Sequence, residues 1–219
     1  MQYHGFRHAF WVVAIVFATS LPASAAKPAA GLQVARPPAL SYSDATAPRR
    51  GRFLVASRQT VGPFFYQTVV LLLNYDPEGA IGLVINRPTE LPVSALLPDV
   101  DEVQERTDPA HFGGPVEPNR VMVLIESDTP PTESLRVIEN VFASRSLRSL
   151  RAMAKENGSR LRFRAYVGYT GWGPGQLDAE IARGDWHVDS GDPKAIFDMP
   201  SKEVWPKFIH RNTGVQAGR

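Results

Sequence analysis

The chain has 219 residues, of which 43% are hydrophobic, and its 24 lysine and arginine side chains nearly balance its 22 aspartate and glutamate side chains. This length is sufficient for one domain with a core of its own, and the near-neutral charge is a poor signature for a DNA-binding protein. The absence of cysteine excludes disulfide bonds, a thiol nucleophile and cysteine-ligated zinc.

The first 25 residues have the pattern of a secretory signal peptide. Arg7 precedes an apolar run over residues 9–21, and the small residues Ala23-Ser24-Ala25 follow that run. This order predicts cleavage after Ala25 and a periplasmic or secreted mature protein. The alternative is a misplaced start codon and a cytoplasmic protein. Residues 26–50 are rich in alanine and proline, and they predict a flexible or semi-extended linker.

Hydrophobic patterning predicts one domain over residues 51–210 and a flexible tail over residues 211–219. The continuous apolar run Val69–Leu73 is typical of a fully buried strand, and a turn over Asp76–Gly79 leads into its hairpin partner. The predicted strands cover residues 53–56, 68–75, 80–86, 121–125 and 160–169, with one or two between 135 and 143 and a brief pairing at 186–188. The predicted helices cover residues 93–97, 146–157, two turns between Pro174 and Gly184, 195–197 and 201–210, and residues 98–109 form a predicted loop.

A glycine-rich run over residues 168–186 joins the end of a predicted strand to the two-turn helix. Leu177 and Ile181 are four residues apart, so the same buried face of that helix carries both. We expect Trp172 and Trp186 to pack at its two ends. The glycine spacing matches neither a P-loop nor the dinucleotide motif G-x-G-x-x-G, so the favoured interpretation is a rigid corner between strand and helix.

Four motifs in the same order resemble those of the YqgE/AlgH family. They are Phe53-Leu54-Val55-Ala56-Ser57, the stretch from Gly79 to Pro88, Gly113-Gly114-Pro115-Val116 and the run from Gly168 to Trp186. The resemblance extends over residues 51–210. The family has no established biochemical activity and carries the traditional label of a transcriptional regulator. Its members are generally cytoplasmic, so the leader of this chain is a departure.

The fold class expected for the chain is α+β. Hairpins and separated helices favour it over regular βαβ units. The resemblance adds a bifurcated, mostly antiparallel sheet that curls into a pseudo-barrel with helices packed around it, in a single domain.

A search for catalytic residues gives no constellation on which a mechanism can be based. Ser57 with His111 as its base lacks the G-x-S-x-G elbow of a hydrolase nucleophile. Asp178 and Glu180 are two residues apart on a predicted helix and therefore face different directions. Apart from two in the leader, the histidines lack the close spacing of metal ligands. We therefore predict no catalytic residue, no metal and no cofactor.

The first candidate site is a small-ligand pocket where three motifs are expected to meet. Glycines there would expose backbone N–H groups, Arg87 would supply charge, and Trp172 would supply a stacking surface. The alternative is that Arg87 only pairs with a carboxylate or a strand-end carbonyl. The predicted pocket residues are Asn86, Arg87, Gly113, Gly114, Trp172, Gly173, Gly175 and Gln176.

The second candidate site is a basic face formed by a helix and the strand that follows it. Leu147, Leu150 and Ala154 mark the apolar side of the helix, and basic residues at three- and four-residue spacing mark another side. Alternation along the strand points its arginines to one side. The predicted face comprises Arg148, Arg151, Lys155, Arg160, Arg162 and Arg164. The alternative is an ordinary solvated surface.

These features favour a non-enzymatic binding or accessory protein of the cell envelope, with an anionic ligand or an envelope polyanion as its partner. Loss of Arg7 with the leader leaves 23 basic side chains against 22 acidic ones, and no DNA-reading element is recognisable. The alternative is a cytoplasmic transcriptional regulator or a protein that binds nucleotides or nucleic acids. This alternative requires that the start codon is misplaced and that the native protein lacks the leader. A third possibility is a hydrolase with an unfamiliar site.

Overall fold

The computed structural model describes residues 43, 46–60 and 62–214. The predicted leader and most of the predicted linker lie outside these residues, as does the end of the predicted tail. The proposed domain bounds therefore stay predictions.

Ten strands form the framework of the domain. They are β1 (Arg52–Ala56), β2 (Val69–Asp76), β3 (Gly79–Val84), β4 (Pro88–Pro92), β5 (Pro109–Phe112), β6 (Val116–Glu126), β7 (Ser134–Ile138), β8 (Val141–Ser144), β9 (Arg162–Trp172) and β10 (Trp186–Ser190). The predicted hairpin of β2 and β3 is confirmed, with residues 69–73 fully or almost fully buried.

Five α-helices accompany the strands in the described residues, and their ends follow from local sequence. They are α1 (Val93–Leu96), α2 (Leu147–Asn157), α3 (Gln176–Arg183), α4 (Pro193–Phe197) and α5 (Ser201–Gly214). The Ser146 side chain caps the start of α2 by accepting a hydrogen bond from the Ser149 N–H. The glycines before and after α3 both adopt left-handed backbone conformations, which stop a helix without steric cost.

The sheet branches at β9. Along its main path the strand order is β10-β1-β2-β3-β9-β6-β8-β7, and every pairing on this path is antiparallel. Strand β5 pairs in parallel with β9 and antiparallel with β4, which produces the bifurcation. The expected α+β class with a curled, mostly antiparallel and branched sheet is therefore confirmed.

Two apolar clusters lie on the two faces of the sheet where β6 and β9 run side by side. Met122, Leu124 and Tyr166 contribute to the larger cluster, which continues under α3, α4 and α5. The intervening residues, such as Phe163 and Ala165, contribute to the smaller cluster beneath α1 and α2. Strand alternation explains this division. The same alternation decides which polar residues of β9 are neighbours.

The far edges of the curled sheet approach each other at two glycines. A Cβ atom on Gly51 would lie closer than 3.0 Å to the Val137 carbonyl oxygen of β7. A Cβ atom on Gly191 would lie closer than 3.0 Å to the Gly51 carbonyl oxygen and 2.6 Å from Ile138 Cδ1. Only residues without a side chain allow this backbone approach. The seam brings β7 against the start of β1 and the end of β10.

Several predictions about single elements are wrong. A strand, β4, runs from Pro88 to Pro92, where the sequence predicted none, and the predicted loop 98–109 contains a 3-10 turn at Asp101–Val103. Proline is compatible with β4 because strand ends and edges need not donate every backbone hydrogen bond. Leu147, predicted on the apolar face of α2, is 37% exposed, whereas Leu150 and Ala154 are buried.

Candidate functional site

The two tryptophans that flank α3 share one carboxylate. The indole Nε1 atoms of Trp172 and Trp186 both donate to Glu180 Oε2, each at 2.8 Å, and their rings contact edge to face at 6.1 Å. Gln176 Nε2 donates to the other oxygen of Glu180 at 3.0 Å. Both tryptophans are buried. Glu180 thus ties the glycine-rich run to β10 and is the polar centre of the corner.

Asn86 and Arg87, from the predicted pocket, form hydrogen bonds with the first residue of β2 and with the loop before it. Asn86 is buried, its Oδ1 accepts from the Val69 N–H at 2.9 Å, and its Nδ2 donates to the Gln67 carbonyl at 3.0 Å. Arg87 donates to the Tyr66 carbonyl. The alternative interpretation of Arg87 was a pairing with a carboxylate or a strand-end carbonyl, and the observed partner is the carbonyl of a turn residue.

Gly113 and Gly114 pack directly against the backbone of β9. Gly113 donates its N–H to the Val167 carbonyl at 2.8 Å, so this group is occupied. A Cβ atom on Gly114 would lie closer than 3.0 Å to the backbone of Tyr169 and Thr170. These two glycines therefore allow a close approach between chain segments.

The remaining pocket candidates lie at the start of α3. The Gly173 N–H donates to Gln176 Oε1 at 3.1 Å, and Gly175 has a left-handed φ of +70°. Trp172 contacts Trp186, while Arg87 contacts Tyr66, so the structure gives these two residues different neighbours. None of the eight predicted pocket residues lines either of the two grooves described below.

The side chains considered for catalysis also have separate partners. The Ser57 hydroxyl lies 3.1 Å from the Thr60 hydroxyl, whereas His111 Nε2 lies 3.4 Å from Arg164 Nη1. Asp178 accepts a hydrogen bond from the Tyr75 hydroxyl at 2.7 Å. Within the described residues, no group of three or more histidine and acidic side chains is placed to hold a metal ion. No described helix is long and apolar enough to cross a membrane.

His111 is buried beside Tyr166, with their ring centroids 5.5 Å apart. Burial, and then the charge of Arg164, lower the pKa of His111 from 6.5 to about 4, against opposing contributions from the Pro109 carbonyl and Asp108. Burial also lowers the pKa of His187. The neutral imidazole is therefore the form that the folded state favours.

We expect His111 to make the folded state less stable in acid. The unfolded chain takes up a proton below pH 6.5 more readily than the folded chain, so stability falls as the pH drops from 6.5 toward 4. Between pH 7 and pH 5 this residue alone should account for a loss of about 2 kcal/mol. Urea unfolding at both pH values measures it. In the His111→Gln variant, the difference in unfolding free energy between pH 7 and pH 5 should be smaller by about 2 kcal/mol. A difference equal to that of the native protein would show that His111 is not its source.

The predicted basic residues lie on two different faces of the sheet. Helix α2 packs on the cluster that contains Phe163, so the alternating Arg162 and Arg164 are on the opposite face from α2. Arg162 pairs with Glu126 at 2.8 Å and with Asp198. The six residues therefore do not form one continuous face. Arg148, Arg151 and Lys155 remain together on α2, and Arg160 is exposed in a 3-10 turn after it.

A groove that the sequence did not predict lies on the inner face of the curled sheet. Its volume is about 750 Å³, within the range of small-molecule sites. Ile81 of β3 and Leu135 of β7 are 40% and 38% exposed there. The apolar lining comprises Leu73, Ile81, Met122, Leu135, Ala143 and Tyr169, and the polar lining comprises Asn74, Glu133, Ser134, Ser144, Arg145 and Ser146.

A second, smaller groove adjoins the first. Its volume is about 490 Å³, and its lining residues are Arg120, Val121, Arg145 and Leu147. Arg145 lines both grooves. The exposed Leu147 explains why the apolar pattern of α2 extends one residue beyond its buried face. An apolar residue outside the buried side of a helix, here Leu147, is the sequence signal that could have indicated this surface.

Comparison with known proteins gives relatives over most of the chain. The family model described as AlgH-like (DUF179) matches residues 53–217. A UPF0301 protein of Paraburkholderia phymatum is 38% identical over 156 residues, which cover 69% of this chain and 81% of the relative. A UPF0301 protein of Ralstonia nicotianae is 35% identical over 168 residues, which cover 75% of this chain and 88% of the relative.

Two solved structures have the same fold. The solution structure of the AlgH protein from Pseudomonas aeruginosa matches with a TM-score of 0.62 and 30% identity, over 82% of this chain and 98% of that protein. A crystal structure of a Corynebacterium diphtheriae protein matches with a TM-score of 0.66 and 22% identity, over 77% of this chain and 90% of that one. The protein therefore belongs to the AlgH-like UPF0301 family.

Proposed function

We propose that the protein is a non-catalytic ligand-binding protein of the cell envelope, and that the inner-face groove binds an apolar ligand. The proposed binding site rests on one observation. Five large apolar side chains are exposed among the described residues, and three of them, Ile81, Leu135 and Leu147, line the two adjoining grooves. Clustered exposed apolar side chains mark binding surfaces, whereas scattered ones do not.

The polar arrangement of the domain supports binding without turnover. The catalytic candidates Ser57 and His111 contact different partners, and both carboxylate oxygens of Glu180 already accept hydrogen bonds from neighbouring side chains. The groove itself contributes hydroxyl and amide groups and two charged side chains, Glu133 and Arg145. A mostly apolar lining with a few polar groups is typical of sites that bind and orient a small ligand.

Binding of 1-N-phenylnaphthylamine tests whether the groove binds apolar ligands. The fluorescence of this apolar dye increases when the dye moves from water into an apolar environment. We expect saturable binding to the native protein and about tenfold weaker binding by the Leu135→Ser variant, because the substitution removes apolar contact area from the site. Leu91→Ser is the matched control, since Leu91 is also a strand leucine, is 40% exposed and lines neither groove. Equal losses in both variants, or no saturable binding, would contradict the proposal.

The envelope location is supported by the leader sequence. Arg7, the apolar run 9–21 and the triplet Ala23-Ser24-Ala25 follow the order of an exported precursor. N-terminal sequencing and fractionation of the untagged native protein test this location. A periplasmic form that begins at Ala26 is expected. An intact N-terminus in the cytoplasm would overturn the envelope location and favour the nucleotide or nucleic-acid alternative.

A further inference from the structure

Arg145 is the residue that connects the two grooves, because it lines both of them. It is exposed, and it has no ion-pair partner among the residues that the structure describes. The other arginine at the grooves, Arg120, pairs with Glu117 at 2.7 Å. Within the described part of the chain, a guanidinium without an ion-pair partner therefore lies between two apolar surfaces.

The acid at this site, Glu133, is held by hydroxyl groups. Its carboxylate accepts from the Ser146 hydroxyl, and its backbone carbonyl accepts from the Ser144 hydroxyl at 2.9 Å. Glu133 also has a left-handed φ of +52°, a conformation that non-glycine residues rarely adopt. The loop is thus fixed in a form that keeps Glu133 hydrogen-bonded to serines, and Arg145 remains available to a ligand.

The chemistry of this arrangement selects one class of ligand. A guanidinium presents a planar set of donors that match a carboxylate or a phosphate. The exposed Ile81 and Leu135 on one side, and Leu147 on the other, favour a flexible hydrocarbon chain. An amphiphile with one acyl or alkyl chain and one anionic head group satisfies both requirements.

We infer that the ligand is a single-chain anionic amphiphile whose head group binds Arg145 and whose chain lies along the inner-face groove. The inference rests on the proposed apolar site and adds the charge and form of its ligand. A fatty-acid carboxylate and a lipid phosphate share the required chemistry. The head group therefore has to be identified by experiment.

Displacement of the bound dye by four twelve-carbon compounds tests the inference, with the charged compounds below their critical micelle concentrations and the uncharged one below its solubility limit. The compounds are laurate, dodecyl phosphate, dodecanol and dodecyltrimethylammonium. We expect the anions to displace the dye at concentrations about tenfold lower than dodecanol, and the cation to be the weakest. The more potent anion identifies the head group. Shortening its chain should weaken binding by up to roughly fourfold per methylene.

The Arg145→Gln variant tests whether the preference for anionic compounds comes from the Arg145 side chain. We expect the variant to lose the advantage of the anions, so that laurate, dodecyl phosphate and dodecanol displace the dye at similar concentrations. Arg148→Gln is the matched control, because Arg148 is an exposed arginine nearby that lines neither groove. It should retain the preference for anions.

The outcomes separate this inference from the proposed function. Equal potency of laurate, dodecyl phosphate and dodecanol, or a preference that survives in Arg145→Gln, would overturn the inference while saturable dye binding leaves the apolar site in place. Absence of saturable dye binding would contradict the apolar site, and with it the inference that rests on that site.

Discussion

The Gly114→Ala variant is expected to lose roughly 4 kcal/mol of unfolding free energy, a large fraction of what holds a typical domain folded. The added methyl group would lie closer than 3.0 Å to backbone atoms of Tyr169 and Thr170, and φ at Gly114 is +153°. Backbone atoms in the centre of a sheet cannot move aside as a flexible side chain can. Urea unfolding followed by tryptophan fluorescence measures the loss.

Two other glycines of the predicted pocket serve as graded controls. Gly175 has a φ of +70° but no heavy atom within 4 Å of an added Cβ, so Gly175→Ala should cost about 1 kcal/mol. At Gly173 the nearest atom would be Gln176 Oε1 at 4.0 Å, and Gly173→Ala should change stability by less than about 0.5 kcal/mol. Equal losses in all three variants would show that the close backbone approach is not what requires glycine at position 114.

Removal of the Glu180 side chain should cost roughly 3–5 kcal/mol of unfolding free energy. Glu180→Ala leaves the indole N–H groups of two buried tryptophans without their acceptor, and a hydrogen bond to a charged group contributes about 1.5–3 kcal/mol. Glu180→Gln keeps an oxygen that both indoles can reach, so it should lose only about 1 kcal/mol. Urea unfolding followed by far-UV circular dichroism measures both variants, since the fluorescence of these tryptophans changes with the substitution.

Glu156→Ala is the matched control for the alanine variant. Glu156 is also a helical glutamate, but it is exposed on α2. Both substitutions change helix propensity in the same way, so the difference between them measures the tryptophan cluster. A Glu180→Ala loss no larger than that of Glu156→Ala would contradict the role of Glu180 as the shared acceptor.

Much of the fold could be predicted because local signals and tertiary context agree. The β2–β3 hairpin combines a continuous apolar run with a proline- and glycine-containing turn, and helices α2 and α3 carry their own caps and stops. Strands β4 and β5 were missed because their pairing depends on partners distant in sequence. His111 of β5 pairs with Tyr166 of β9 across 55 positions, and short strands that begin with proline carry little signal of their own.

The candidate site was harder to predict than the fold, for a physical reason. A glycine motif has the same sequence whether its backbone binds a ligand or packs on another strand, and in Gly113 and Gly114 the structure shows close packing. The groove depends on Ile81 and Leu135, which line it from β3 and β7, two strands that are neighbours neither in sequence nor in the sheet. The basic residues have the predicted spacing, but helix α2 covers the face of β9 opposite to Arg162 and Arg164.

The pairing of β1 with β10 also determines when the domain can become complete during synthesis. Strand β1 is fully buried, yet one of its two neighbours begins only at Trp186, and the Trp205 indole of α5 donates to the Ala56 carbonyl at 2.7 Å. A nascent chain therefore carries an apolar strand with one open edge until almost all of the protein has emerged. Such late, non-local closure slows folding and prolongs exposure of the edge to other chains. In an exported precursor, the same delay would lengthen the time during which the chain is still unfolded enough to be translocated.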